Sequence, residues 1–128
     1  MVTEIKLPAS LETIAEELTK RDASMYTPVS EIRREPSDKG GKIVYKSLNY
    51  RTNVGDSVIL SIGKLFMSSS SEEFVFQYNL TIFNDNSGES HARDQSKLKE
   101  VYDAVHQKVS TDPTRSEQER KFLSEFWR

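Results

Sequence analysis

The segment "FVFQYNLTIF", residues 74–83, alternates strictly. Phe74, Phe76, Tyr78, Leu80 and Ile82 fall on one side, while Gln77, Asn79 and Thr81 fall on the other, between Val75 and Phe83. A period of two belongs to a strand with one apolar and one polar face. The apolar side needs a covering layer, and the rest of the chain supplies one.

Upstream, "KIVYKSLNYRT" and "VILSIGKLFM" are rich in strand formers, with the turn chemistry of "VGDS" between them and "SSSSEE" leading into residue 74. "PVSEIRRE" reads as a weaker first strand. Its Pro28 suits an edge or a strand start, and "SDKGG" supplies the turn that follows. Short connections imply an antiparallel meander, because parallel neighbours need long crossovers.

Helical spacing appears on both sides of these strands. Leu11, Ile14, Ala15 and Leu18 recur at that spacing behind Ser10, an N-cap residue, which predicts a helix over about residues 10–22. "KLKEVYDAVHQKV" places Leu98, Val101, Tyr102, Val105 and Val109 on one helical face. After "STDPTR", Ser116 and Glu119 have the spacing of a capping box ahead of Phe122, Leu123, Phe126 and Trp127. The polar stretch "NDNSGESHARDQS" is expected as a mobile loop over about 84–95.

The expected fold is α+β, a single domain over 1–128. It is a two-layer sandwich in which a four-stranded antiparallel meander carries helices on one face, in the order α-β-β-β-β-α-α. This order resembles that of ubiquitin-conjugating and RWD-type domains. The chain has no catalytic cysteine and no Tyr-Pro motif after the fourth strand, so the resemblance implies a shape and no activity.

The third strand contains a conflict. Val58, Leu60 and Ile62 alternate, and the same phase would carry Lys64 into the core. Gly63 predicts a bulge that turns Leu65 and Met67 inward; the alternative reading is close approach of a ligand backbone at Gly63.

Composition excludes more than it suggests. The chain has 128 residues, 35% hydrophobic and 30% charged, with a net charge of −2, so nothing pulls it globally toward nucleic acid or anionic lipid. The absence of cysteine removes disulfides, thiolate nucleophiles and cysteine metal sites. No apolar run approaches the roughly eighteen residues of a membrane span, and the opening residues lack the apolar core of a signal peptide. A cytoplasmic protein with no membrane contact is expected. Asn79-Leu80-Thr81 fits a glycosylation pattern, which carries no weight without a secretory signal.

Gly55-Asp56-Ser57 resembles the nucleophile block of GDSL-type esterases, and Asp103-Ala104-Val105-His106 resembles their Asp-x-x-His block. The resemblance implies Ser57 as nucleophile, His106 as base and Asp103 as its orienting group. The context opposes it. Ser57 leads into an apolar strand, whereas the family's serine precedes a helix, and the glycine and asparagine blocks of that family are not recognisable. No catalytic residue is expected. His91 and His106 have no second histidine at i+3 or i+4, and a calcium loop with Gly88 in sixth place would begin on Phe83. Gly40-Gly41 lacks the Lys-Ser/Thr of a phosphate loop. Neither a metal nor a cofactor is expected.

What remains is binding. Phe122, Phe126 and Trp127 either close the core or anchor another protein. Gln77, Asn79 and Thr81 form a polar face that Ser61, Ser47 and Asn49 extend in a register the sequence does not fix. The expected function is therefore a small non-enzymatic binding domain acting through protein–protein contacts at these residues. The alternative is single-stranded nucleic-acid binding through the basic hairpin 33–51, using Arg33, Arg34, Lys42, Lys46, Arg51 and Tyr50. Tyr45 and Tyr50 differ in parity and face opposite sides of their strand.

Overall fold

The computed structural model describes residues 10–36, 42–55, 57–68, 75–84 and 87–127. Helix α1 (Leu11–Lys20) opens it, and a 3-10 turn (Ala23–Met25) leads into β1 (Thr27–Pro36). Strands β2 (Lys42–Gly55), β3 (Val58–Ser68), β4 (Val75–Asn84) and β5 (Ser87–His91) follow, then helices α2 (Gln95–Ser110) and α3 (Glu117–Glu125). The strands lie in sequence order in one antiparallel sheet. The fold is the α+β meander that the alternation implies, with five strands where four were expected.

The helices start where their caps place them. Ser10 accepts a hydrogen bond from the Thr13 N–H, and Ser116 accepts one from the Glu119 N–H. The reciprocal half of a capping box is missing at Glu119, whose carboxylate instead takes the Arg115 guanidinium at 3.0 Å. At α2 the cap is Asp94, in a left-handed conformation with φ 57°.

Even-numbered residues of β1 to β4 face the helices. Leu48, Tyr50, Val54, Leu60, Ile62, Tyr78 and Leu80 meet Ile14 and Leu18 of α1 and the predicted stripe of α2, Leu98, Val101, Tyr102, Val105 and Val109, in one buried cluster. The turn after α1 is fastened from below. Lys108 Nζ donates to the carbonyls of Thr19 and Arg21, and Arg115 Nη2 donates to those of Ala23 and Tyr26.

Two expectations are corrected here. The stretch 84–95 is not a loop throughout, because Ser87–His91 pair with β4 as an edge strand, Thr81 opposite Ser90. Gly63 carries no bulge: β3 pairs with β4 in unbroken register from Val58 to Met67, and the one shift against β2 lies between Asn53 and Gly55. Leu65 and Met67 therefore stay on the outer face, and Met67 is exposed. Gly63 is needed for another reason. The Asn49 carboxamide lies across it, and a Cβ there would stand 1.8 Å from Asn49 Oδ1. That space holds a side chain of the protein itself, not a ligand.

Candidate protein-docking surface

Lys64 keeps the inward phase and is not driven out. Beyond Ile62 the sheet outruns its helices. With fourteen residues β2 extends about 45 Å, whereas the sixteen residues of α2 rise about 24 Å. The row Leu48–Lys64–Tyr78 lies at the border of helical cover, and Lys46–Phe66–Phe76 lies beyond it. Here Lys64 lays its stem on apolar surface and its ammonium over rings. The nitrogen is 4.7 Å from the centre of Trp127, 4.8 Å from Phe76 and 5.7 Å from Tyr78. Burial pulls the lysine below its ordinary value; Asp103 opposes that shift and Lys99 reinforces it.

The end of α3 closes one side of this surface. Phe126 is buried, and its carbonyl accepts a hydrogen bond from Lys46 Nζ at 3.4 Å. Trp127 is half-buried and donates through Nε1 to the Tyr102 hydroxyl at 2.8 Å. The rings form two groups, Phe66 with Phe76 at 4.9 Å, and Phe126 with Trp127 at 4.8 Å and with Phe122 at 5.7 Å; Lys64 lies between them. Phe76 is 53% exposed and Phe122 49%. Among the described residues, neither Lys46 nor Lys64 has a carboxylate within ion-pair reach.

The C-terminal stripe thus divides. Leu123 and Phe126 close the core, Trp127 bridges, and Phe122 stands out. Phe76 also departs from expectation, since it lies on the helix side of β4 yet beyond helical cover. Gln77, Asn79 and Thr81 lie on the opposite face from the aromatic stripe, so these two sets of candidate residues do not form one site. Their register is now fixed: Ser47–Leu65–Gln77, Asn49–Gly63–Asn79 and Arg51–Ser61–Thr81 run across β2, β3 and β4. No helix among the described residues covers that face, but its side chains shield one another, and Ser47 and Ser61 are buried.

No family model, curated protein or solved structure matches this chain.

The nucleic-acid set is scattered. Tyr50 has no exposed surface, and burial pushes its hydroxyl up; it bonds His106 Nδ1 at 2.5 Å inside the core. It offers no stacking platform, which corrects its inclusion. Tyr45 is the outward ring, as the parity argument requires, and Arg33 covers it at 4.3 Å. Arg51 also points outward, 5.1 Å from the Phe83 ring, while Lys46 points to the helix side. Arg34 is exposed on the helix-side parity of β1; Lys42 opens β2, and its side chain lies outside the described residues.

The esterase-like residues are not assembled. His106 Nδ1 meets Tyr50, Asp103 holds Lys99 at 2.9 Å, and Ser57 sits in the β2–β3 turn with φ 63°. Asp56 lies outside the described residues. No group of three or more metal-ligating side chains occurs among the described residues, nor is any helix there long and apolar enough to cross a membrane.

Sequence reasoning missed Lys64, Phe66 and Phe76 as a site. A signal existed, because Phe66 continues the phase of Leu60, Ile62 and Lys64. An unbroken alternation with one lysine in it describes a strand whose end leaves the core.

Proposed function

We propose that this chain is a small, non-enzymatic binding domain that docks another protein against the aromatic end of its sheet. One observation carries the reading: two groups of rings, exposed at Phe76 and Phe122 and bridged by the Lys64 ammonium, flank two lysines that lack carboxylate partners among the described residues. Exposed aromatic clusters of this kind anchor interfaces. A fitting partner segment presents a carboxylate between apolar side chains, the acid toward Lys64 and Lys46 and the apolar groups toward Phe76 and Phe122. The reading takes the chain as cytoplasmic, which the absence of cysteine supports.

The test is capture from nuclease-treated host extract on wild type and on the Phe76→Ala, Phe122→Ala double variant. Proteins held by the wild type and lost by the variant are expected. Equal capture on both would remove this surface from the function. Capture that depends on nucleic acid surviving the treatment would favour the basic hairpin instead.

A further inference from the structure

Strand β1 ends the sheet. It pairs with β2 along its whole length, and no strand among the described residues pairs with its other edge. From Thr27 to Arg34 every residue but Pro28 is exposed. Such an edge is a template for another strand unless its sequence prevents pairing.

The sequence of β1 is "TPVSEIRREP", with Pro28 and Pro36 equidistant from Ile32 and Glu31 and Arg33 flanking it. Antiparallel to a second copy and centred on Ile32, position 28 meets 36, 30 meets 34, 31 meets 33, and 32 meets itself. Proline has no N–H, so within a strand it sits where that group would point away from the ladder. Pro28 and Pro36 both take even positions opposite β2, which aims the even-numbered backbone groups of β1 outward. Ser30, Ile32 and Arg34 then present to a new neighbour N–H and C=O groups that have no partner among the described residues, and the facing prolines close the ladder at each end.

The charges select this register. Glu31 and Arg33 share the outer face and already pair at 2.6 Å within one strand. In the symmetric register each Glu31 faces the other copy's Arg33, so four charges alternate in sign. A shift of two positions either way puts Glu31 against Glu31 or Arg33 against Arg33, and like charges opposed across strands repel. Ile32, 48% exposed, gains its own copy as a cross-strand neighbour on the helix side. We propose that β1 pairs with β1 of a second copy of this chain, antiparallel and centred on Ile32, joining two sheets into one. The two-fold axis stands perpendicular to the sheet, so both helix layers lie on the same side.

The test is sedimentation velocity of the full chain across a range of concentrations, for wild type, Glu31→Arg and Arg33→Glu. The wild type is expected to dimerise. Glu31→Arg gives a strand with cations at both positions, and Arg33→Glu gives one with anions at both. Each alone should dimerise about tenfold more weakly or worse, because two attractive pairs become repulsive. Mixed in equal amounts, the two variants should form a heterodimer, since every cation then faces an anion. That rescue depends on both variants being folded and on the outer faces of the two β1 strands lying side by side, while the losses in the separate variants report the register. A wild type that stays monomeric throughout overturns the proposal. So does a mixture that associates no better than its separate components.

Discussion

The carboxamide of Gln95 completes the edge of β4 at Tyr78. Tyr78 N–H donates to Oε1 at 2.8 Å, while Nε2 donates to the Tyr78 carbonyl at 2.6 Å and to that of Ala92 at 2.6 Å. Strand β5 ends at His91, opposite Leu80, so the first residue of α2 takes over where the ladder stops. Gln95→Glu keeps the shape but turns both donors into acceptors facing carbonyls. It should cost about 1–3 kcal/mol in a denaturant melt. A melt identical to wild type would show that solvent serves this edge equally well.

Gly63 and Asn49 form a second coupled pair. Gly63→Ala introduces a Cβ into the space of the Asn49 carboxamide, and Asn79 Oδ1 lies 3.2 Å from that Cβ on the other side. Overpacking of this kind costs about 1–3 kcal/mol. The obstructing atoms end a short side chain, so Asn49→Ala in the Gly63→Ala background should recover most of the loss. A double-mutant cycle measures the coupling. Additive losses would mean that Gly63 is required for its backbone and not for the crossing carboxamide.

His106 predicts a pH dependence. Burial lowers its affinity for a proton below the ordinary value of 6.5, and Lys64 adds to the effect while Asp103 opposes it. The Tyr50 hydroxyl, which burial holds protonated, shares a hydrogen bond with Nδ1, and the neutral ring satisfies it in either tautomer. The folded-state value lies below the unfolded one, so this contribution is fully present above the unfolded value. It is lost as pH falls through the folded value, because the unfolded chain binds the proton first. Wild type should therefore lose stability relative to His106→Gln as melts are taken from neutral to mildly acid buffer. Parallel pH profiles for the two proteins would acquit His106.

The sequence made the layers legible because alternation and helical spacing report which face is buried. Leu98, Val101, Tyr102, Val105 and Val109 lie buried on α2 where their spacing put them. Strand β5 was not legible, since "SGESH" contains no β-branched or aromatic residue and is a strand only because β4 offers an edge. The misreading of Lys64 came from a hidden premise, that every inward position lies under a helix. Relative element lengths decide that, and a tryptophan from the far end of the chain decides what the lysine meets. The register of Asn49, Gly63 and Asn79 likewise depends on where the hairpins turn, which local propensity does not encode.

The same premise can be tested along β4. Phe76, Tyr78 and Leu80 share one face, yet exposure falls from 53% through 8% to 2%. If the helix layer ends between Phe76 and Tyr78, equal truncations should have unequal costs. Leu80→Ala empties space between the sheet and the helices and should cost about 2–5 kcal/mol, with Tyr78→Ala in the same range. Phe76→Ala removes a larger side chain but only about half of it from burial and leaves no closed cavity, so its cost should stay at about 1 kcal/mol. Asn79→Ala, on the uncovered face, should also be mild. Denaturant melts of the four variants measure this gradient directly. A Phe76→Ala loss as large as that of Leu80→Ala would mean that Phe76 is internal, and the aromatic end of the sheet would then be core instead of a docking surface.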